Sequence, residues 1–451
     1  MKVLVIGSGG REHALVRALK EKGVEMICAP GNPGIAEDAR LLDVAADDVE
    51  GIVAAVEREG IHFTVVGPEA PLVAGLVDEL DRRGRLVFGP TAAAARLESS
   101  KAFAKEVMEE AGVPTGSWRH VRTLEEGMAA VAELASPGVV VKLDGLAAGK
   151  GVTVADSPEQ ARRALEEIFV EGRFDAAGGS PDGAAAPPTA VVEERLRGRE
   201  ISLLALCDGQ WPMTLEPARD YKPLLDGDEG PNTGGMGAYS PVADFDYEDD
   251  WRITELVHMP ILRAMDRRGT PFRGVLYAGL MLTEEGPKVL ELNVRFGDPE
   301  TQALLPRLYA DLLDMLMRSV RPGGLMIGEA EESLVQWTTQ WSVTVTLASA
   351  GYPESSTAGA RISGLEQLPK NVRVTHAGTA LAEDGSLVTA GGRVLNVTAL
   401  GETPEEARET AYAAARMISF EGMQMRSDIA AKVEEDGDVH GGWRNGVSGR
   451  G

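Results

Sequence analysis

The stretch VLELNVRFGDPETQ, Val289 to Gln302, holds the densest set of residues able to do chemistry. Glu291 and Asn293 alternate with Leu292 and Val294, so on a strand both point to one face. Two oxygen donors side by side suit a Mg²⁺ ion that keeps several waters beside the terminal phosphates of a nucleotide. Arg295 and Asp298 follow at the strand's end, placed to pair with a carboxylate and an ammonium. A structural ion-pair network is the competing reading of these residues taken alone.

Two further stretches point to phosphate. VVVKLDGLAAGKG, Val139 to Gly151, puts Lys142 in a strand and Lys150 in a glycine-rich turn whose amides can wrap phosphate oxygens. It lacks the G-x-x-x-x-G-K-[ST] order of a P-loop, and a flexible hairpin turn is its bland reading. VVEERL adds Glu193 and Glu194 directly after an apolar run, a weak signal alone because acidic pairs are usually solvated. No nucleophile is evident. Cys28 and Cys207 have no adjacent histidine, and the histidines show no metal-ligand spacing. That suits phosphoryl transfer, where positioning and charge neutralisation supply most of the catalysis.

The opening VLVIGSGGREHA resembles a dinucleotide fingerprint, which would need glycine at positions 7, 9 and 12. Position 12 is Glu, and CAPGNPG, about 20 residues on, lacks the acid that grips a ribose hydroxyl. A carboxylate in a helix's first turn repels a pyrophosphate, although the amides there favour a smaller anion. A sugar phosphate site and a purely structural turn are the readings this loop leaves open.

These residues need a scaffold. From Met1 to about Arg96, VLVIG, MICAP, FTVVGPEAP and RLVFGP read as buried strands alternating with helices, the pattern of an open parallel sheet. One helix is expected from about Thr91 through Met108. TLEEGMAAVAEL and SPEQARRALEEIF start with capping boxes, Thr123 with Glu126 and Ser157 with Gln160, on either side of the Lys142 hairpin. Asp175 to Ala190 reads as a loop. VVEERLRGREISLLALCDG and FRGVLYAGLMLTEEGPKVLELNV read as hairpins. A final unit carries strands WSVTVTLASAG, VRVTHAGT and RVLNVTALG, and a helix with Thr403 as N-cap and Pro404 at its first position. The last stretch, 432–451, is expected to be disordered.

At 451 residues the chain is expected to divide into a few domains. The net charge of −25 disfavours nucleic acid and anionic membranes as partners, while a local cluster of cations can still receive a small anion. Arginine predominates, yet four of the eleven lysines, Lys101, Lys142, Lys150 and Lys222, fall inside candidate motifs, where a compact ammonium has a use. Two cysteines make neither a disulfide framework nor a metal site, and both sit in apolar runs that suggest buried thiols. No apolar run has the length of a membrane span, and Val3 to Ile6 lacks the length and flanks of a signal peptide, so a cytoplasmic location is expected.

Taken together, GPEAPL, FGPT, SKAFAK, DGLAAGKGV, DGDEGPNTGGMGAYSP, YAGLM and RFGDPETQ, in this order, resemble the phosphoribosylamine–glycine ligase family of the ATP-grasp superfamily over nearly the whole chain. The resemblance implies an α/β fold: an N-terminal open parallel (pre-ATP-grasp) sheet over 1–100, ATP-grasp domains over 101–325 with a flap at about 115–190, and a C-terminal mixed α+β domain over 330–431. It implies ligation of glycine to 5-phosphoribosylamine with ATP, through a glycyl phosphate, in de novo purine synthesis. By motif position, Lys101 and Lys142 would contact ATP phosphates, and Gly149, Lys150 and Gly151 would form the closing flap. Glu193, Glu194, the Leu196 backbone and Glu200 would line the adenosine site. Glu291 and Asn293 would bind Mg²⁺ or Mn²⁺, and Lys142, Lys150, Arg295 and Asp298 would serve catalysis. Asp220, Lys222, Asn232, Thr233, Gly234, Arg295 and Asp298 would surround the substrates, with Gly9, Gly10, Arg11, Glu12, Gly67, Pro68 and Glu69 facing phosphoribosylamine. A monomer acting on small molecules is expected. Tyr221 and Pro223 depart from the family's usual D-H-K-R at 220–223, and Leu143 replaces its usual alanine.

Overall fold

The computed structural model describes residues 1–433 except 21–22, 135–137, 147–150, 173–186, 244 and 327–334. The expected disordered tail therefore lies outside the described residues from 434 onward, and Val433 itself is packed into the C-terminal core.

The first sheet is parallel throughout, in the order Arg40–Leu41, Glu25–Pro30, Lys2–Gly7, Phe63–Val66, Val87–Phe88. Val3, Leu4, Val5 and Ile6 have no exposed surface, as a strand covered on both faces requires. The two-residue strand Arg40–Leu41 has no apolar run to announce it. The strand order reverses direction between Lys2–Gly7 and Phe63–Val66. Loops that leave carboxyl ends at such a point form a crevice, and here they are the segments starting at Gly7 and Gly67.

Where one helix was expected, there are two, Ala92–Ser99 and Lys101–Ala111. Ser100 is extended and caps the second, its Oγ accepting from Phe103 N at 3.1 Å. Asp144 takes the next free donors, Lys101 N at 2.6 Å and Ala102 N at 3.3 Å. A remote carboxylate that satisfies the first-turn amides makes the break stable. It also fixes Lys101, whose Nζ donates to Gly145 O at 2.8 Å.

A small antiparallel sheet follows, ordered Trp118–Val121, Ala190–Glu194, Val139–Leu143, Val152–Ala155, with helices Leu124–Leu134 and Pro158–Phe169 packed on it. Both helix starts are capped, but the returning side chain lands one residue early. Glu126 accepts from Arg122 N and Gln160 from Asp156 N, each at 2.7 Å.

The expected hairpin across 191–208 is absent. Ala190–Glu194 belongs to the small sheet, whereas Arg199–Asp208 lies in a larger antiparallel sheet ordered Pro212–Thr214, Arg199–Asp208, Arg273–Thr283, Gly286–Asn293. The second expected hairpin is present as Arg273–Thr283 with Gly286–Asn293. Gly279 faces Glu291 and Leu280 faces Val289, so Leu290 is the extra residue of a bulge.

The last large sheet is ordered Arg219–Asp220, Gly237–Ser240, Trp341–Ala348, Arg393–Gly401, Val372–His376. Two of its strands thus come from residues 219–240. The helix Pro404–Ala415 packs against it, capped by Thr403 Oγ1 as expected. Both cysteines are fully buried, and burial pushes their thiols well above the usual range. Among the described residues, no helix is long and apolar enough to cross a membrane.

Residues 195–198 carry the chain from the small sheet to the large one, and Gly198 makes the passage possible. Its φ is +153°, and a Cβ there would stand 2.1 Å from Leu282 O. Gly198→Ala is expected to cost about 1–3 kcal/mol of stability. A denaturant titration showing an unchanged midpoint would refute that role.

Candidate active site

The small and large sheets meet around a buried carboxylate. Glu193 lies near the end of the strand Ala190–Glu194, and its two oxygens pair with Lys142 Nζ and Lys105 Nζ, each at 2.5 Å. All three side chains are almost wholly removed from water. Burial pushes the Glu193 carboxyl upward, but the two ammoniums outweigh it and hold the carboxyl below its usual range. Lys105 is lowered, chiefly by burial. Lys142 Nζ also donates to the carbonyl of Leu290, the bulge residue, at 2.8 Å. Lys105 Nζ donates to Thr115 Oγ1 at 2.6 Å, which passes a bond of 2.6 Å to Val289 O. One cluster therefore ties a helix, the small sheet and the metal-candidate strand together.

Glu291 and Asn293 stand beyond the bulge on one face of the strand Gly286–Asn293, with Leu292 buried on the other. Burial opposes ionisation of Glu291, yet Lys222, Lys142, Lys101 and Arg295 together hold its carboxyl below the ordinary value. No described residue forms a hydrogen bond or ion pair with that carboxylate. Asn293 Oδ1 receives only a long 3.4 Å contact from Arg295. An ionised carboxylate and an amide oxygen with lone pairs to spare fit a divalent cation. No cluster of three or more His, Cys, Asp or Glu able to hold a metal occurs among the described residues, so a cation here would complete its shell with water or with a ligand's oxygens, such as those of phosphate. Lys101 is lowered mainly by burial, and Glu291 opposes that shift.

On the adenosine side of the expected site, Glu194 accepts from Ser117 N at 3.0 Å and lies 3.5 Å from Lys288. Leu196 is half-buried in the passage between the sheets. Gly149 and Lys150 lie outside the described residues, and Gly151 O closes the hairpin by accepting from Leu143 N at 2.8 Å. Deeper in, Lys222 pairs with Glu200 and, at 3.4 Å, with Asp220. Burial pushes Asp220 up to about 6, against the pull of Lys222, and raises Glu200 as well. Tyr277 and Glu300 complete this group. Tyr277 Oη donates to Glu300 at 2.6 Å and contacts Ser202 Oγ at 2.8 Å.

The residues expected on the substrate side form a second cluster. Arg295 pairs with Glu98 at 2.9 Å and Glu69 at 3.4 Å. Those carboxylates hold its guanidinium charged despite burial. Within the protein, Asp298 pairs with the guanidinium of Arg393, at 2.9 Å. Thr233 N and Oγ1 both donate to Lys222 O, at 2.8 and 2.7 Å, which fixes the loop carrying Asn232 and Gly234.

The opening glycines surround a side chain of the protein. Glu12 accepts from Gly9 N at 2.7 Å and Arg11 Nε at 2.6 Å. A Cβ at Gly7, Gly9 or Gly67 would come within 2.5, 2.7 or 2.2 Å of the Glu12 side chain. The amide that a pyrophosphate would need is thus already used, and the dinucleotide reading has no support here. Arg11 continues to Phe296 O at 3.2 Å, and a Cβ on Gly10 would strike Asn396 and Gln302. Pro68 and Glu69 begin the short helix beside this loop. Glu69 is half-buried, and Arg295 and Arg11 hold its carboxyl below the usual range against that desolvation.

Sequence reasoning passed over Lys105, Glu98, Asp144, Tyr277, Glu300 and Arg393. Lys105 offered one signal, its spacing of four residues from Lys101 on a helix. The others act through contacts distant in sequence.

A small antiparallel sheet facing a larger one, with a lysine on the former and a carboxylate–amide pair on the latter, is the architecture of the ATP-grasp enzymes. Residues 99–301 match the ATP-grasp (A) domain of phosphoribosylglycinamide synthetase, residues 1–98 its N domain and residues 342–432 its C domain. The chain belongs to the phosphoribosylglycinamide synthetase family. It is 46% identical to the phosphoribosylamine–glycine ligase of Rhizobium meliloti (strain 1021), over 95% of this chain and 98% of that one. The ligase of Rhodopirellula baltica is 44% identical, over 96% and 97%. The crystal structure of the Thermotoga maritima ligase matches with a TM-score of 0.79 at 35% identity, over 95% of this chain and 100% of that one. A Campylobacter jejuni biotin carboxylase, at 16% identity and a TM-score of 0.68 over 99% of this chain and 96% of that one, shares the fold.

Removing one ammonium from Glu193 leaves a buried charge half compensated. Lys105→Met is expected to cost about 3–5 kcal/mol of stability. Adding Glu193→Gln should return part of it. Denaturation midpoints of the two single variants and the double variant check this, and simple additivity would dissolve the proposed pairing.

Proposed function

We propose that this chain joins glycine to 5-phosphoribosylamine with ATP, yielding glycinamide ribonucleotide, ADP and phosphate, as its relatives' name describes. The observation that carries the reading is Glu291, whose carboxyl Lys222, Lys142, Lys101 and Arg295 hold below its usual range against burial and which takes no hydrogen bond from any described residue. Such a site is built to neutralise a polyphosphate.

A carboxylate is a poor acyl donor until one oxygen becomes part of a leaving group. In this reading a glycine carboxylate oxygen attacks the γ-phosphorus, ADP departs, and glycyl phosphate forms. The amine of phosphoribosylamine then attacks the carbonyl carbon; phosphate leaves and the nitrogen loses a proton. Lys101 and Lys142 neutralise the phosphates, and Glu193 acts by holding Lys142. Glu194, the Leu196 backbone and Glu200 line the adenosine side, and Gly149, Lys150 and Gly151 cover the phosphates and exclude water from the acyl phosphate. Glu291 and Asn293 would hold Mg²⁺ or Mn²⁺, which supplies positive charge against the terminal phosphates. Asp298 receives the glycine ammonium, with Asp220, Lys222, Asn232, Thr233, Gly234 and Arg295 around the substrates. Gly9, Gly10, Gly67, Pro68 and Glu69 face phosphoribosylamine, with Arg11 and Glu12 setting the loop's shape.

The working division is a substrate-side unit over 1–100, an ATP-grasp unit over 101–325 with its flap at about 115–190, and a C-terminal unit over 330–431. The strong negative charge supports a cytoplasmic monomer that handles small molecules rather than nucleic acid or membrane.

ADP release measured with 5-phosphoribosylamine, with and without glycine, tests the reading; release independent of glycine would defeat it. Glu291→Ala should lower turnover by at least about a hundredfold while leaving the unfolding temperature in place. Activity like that of the unaltered chain at limiting Mg²⁺ would remove Glu291 from the metal site.

A further inference from the structure

Arg393 begins a strand of the C-terminal sheet, yet its guanidinium reaches the substrate side of the site. Nη1 donates to the carbonyl of Gly234 and, at 2.6 Å, to the carbonyl of Asp298. Nη2 donates to Asp298 Oδ2 at 2.9 Å. The amide of Gly234 donates to Tyr352 Oη at 2.9 Å. Both backbone polar groups of Gly234 are therefore bound by side chains from the C-terminal unit. The loops they join lie in close contact: a Cβ on Gly235 would stand 2.4 Å from Pro299, and one on Gly234 3.1 Å from Arg393 Cζ. Gly392 leaves room for the Tyr352 ring, since a Cβ there would stand 2.3 Å from it.

Asp298 is held from both sides, because Oδ1 accepts from Gln302 Nε2 at 2.6 Å. Each carboxylate oxygen retains a second lone pair, so the group is aimed without being consumed. A planar fork suits this task. It binds a side-chain oxygen and two carbonyls of separate loops at once, whereas an ammonium on a flexible stem is a poor substitute for that fixed geometry.

We propose that Arg393, seconded by Tyr352, is a positioning residue that sets Asp298 and the Gly234 loop for the amino-acid substrate, so that the C-terminal unit forms part of the catalytic site. This rests on the ligase reading above. Arg393 acts through Asp298 and Gly234, and the nucleotide-binding lysines lie outside its contacts. Glycine use should therefore suffer while nucleotide use does not.

The test uses the full chain. Arg393→Met should raise the KM for glycine by about ten- to a hundredfold, the equivalent of one or two lost charge-assisted bonds. The KM for ATP and the affinity for a fluorescent ATP analogue should stay within about twofold. Tyr352→Phe should move the same glycine KM by a smaller factor. Combining Arg393→Met with Asp298→Asn should do no more harm than the worse single change, as residues acting as a unit require. If Arg393→Met fails to fold, Arg393→Lys, which keeps the charge and much of the stem, is read in the same way. An unchanged glycine KM in an active variant overturns the proposal, as does a parallel loss of ATP affinity and thermal stability. Absence of glycine-dependent ADP release in the unaltered chain would instead overturn the ligase reading.

Discussion

Glu193 has almost no access to water, and a carboxylate is tolerable there only because two ammoniums share it. Much of the proposed phosphate side depends on that triad. The Lys142 ammonium is held by Glu193 on one side and Leu290 O on the other, so it sits at a fixed height above the large sheet. Lys105 binds the helix Lys101–Ala111 to the same carboxylate, and the helix carries Lys101 with it. Asp144 locks the helix start from the adjoining loop. The cations are placed by internal partners before any ligand arrives, which reduces the reorganisation that binding and chemistry would otherwise require.

The substrate side uses a different device. There, glycines let main chain approach side chain. Gly7, Gly9 and Gly67 close around Glu12, which ties the two loops at the sheet's reversal point. Arg11 reaches across to Phe296 O, next to Arg295. Arg295 in turn lies between Glu98 and Glu69, one from the helix before Ser100 and one from the Gly67 loop. The result is a chain of alternating charges from the N-terminal sheet to the end of the metal-candidate strand.

How much of this the sequence discloses depends on the range of the interaction. The N-terminal strands are legible because burial on both faces writes a continuous apolar run. The face shared by Glu291 and Asn293 is legible from period-two alternation, although the bulge at Leu290 is not. Ser100 breaks a helix that propensity would continue, because the deciding partner, Asp144, lies 44 residues away. The passage at Gly198 looks like a hairpin locally, and only the allocation of its flanking strands to different sheets shows otherwise. The capping boxes of Thr123 and Ser157 were correct in kind but displaced by one residue, a choice between adjacent amides that residue type does not encode. Arg393 is one arginine among many until the fold brings it to Asp298.

The C-terminal sheet places Gly237 opposite Val345, and Val345 opposite Val397. During synthesis, then, the segment around Gly234 leaves the ribosome more than a hundred residues before the strand that flanks it, and longer still before Arg393. The strands of the amino-terminal sheet all lie before residue 89, but its faces share their cores with Leu203 and Val289 on one side and Leu204 and Phe296 on the other, which come much later. The substrate loop must wait for nearly the entire polypeptide. A nascent or prematurely terminated chain would thus lack the Arg393 and Tyr352 contacts that hold the Gly234 loop.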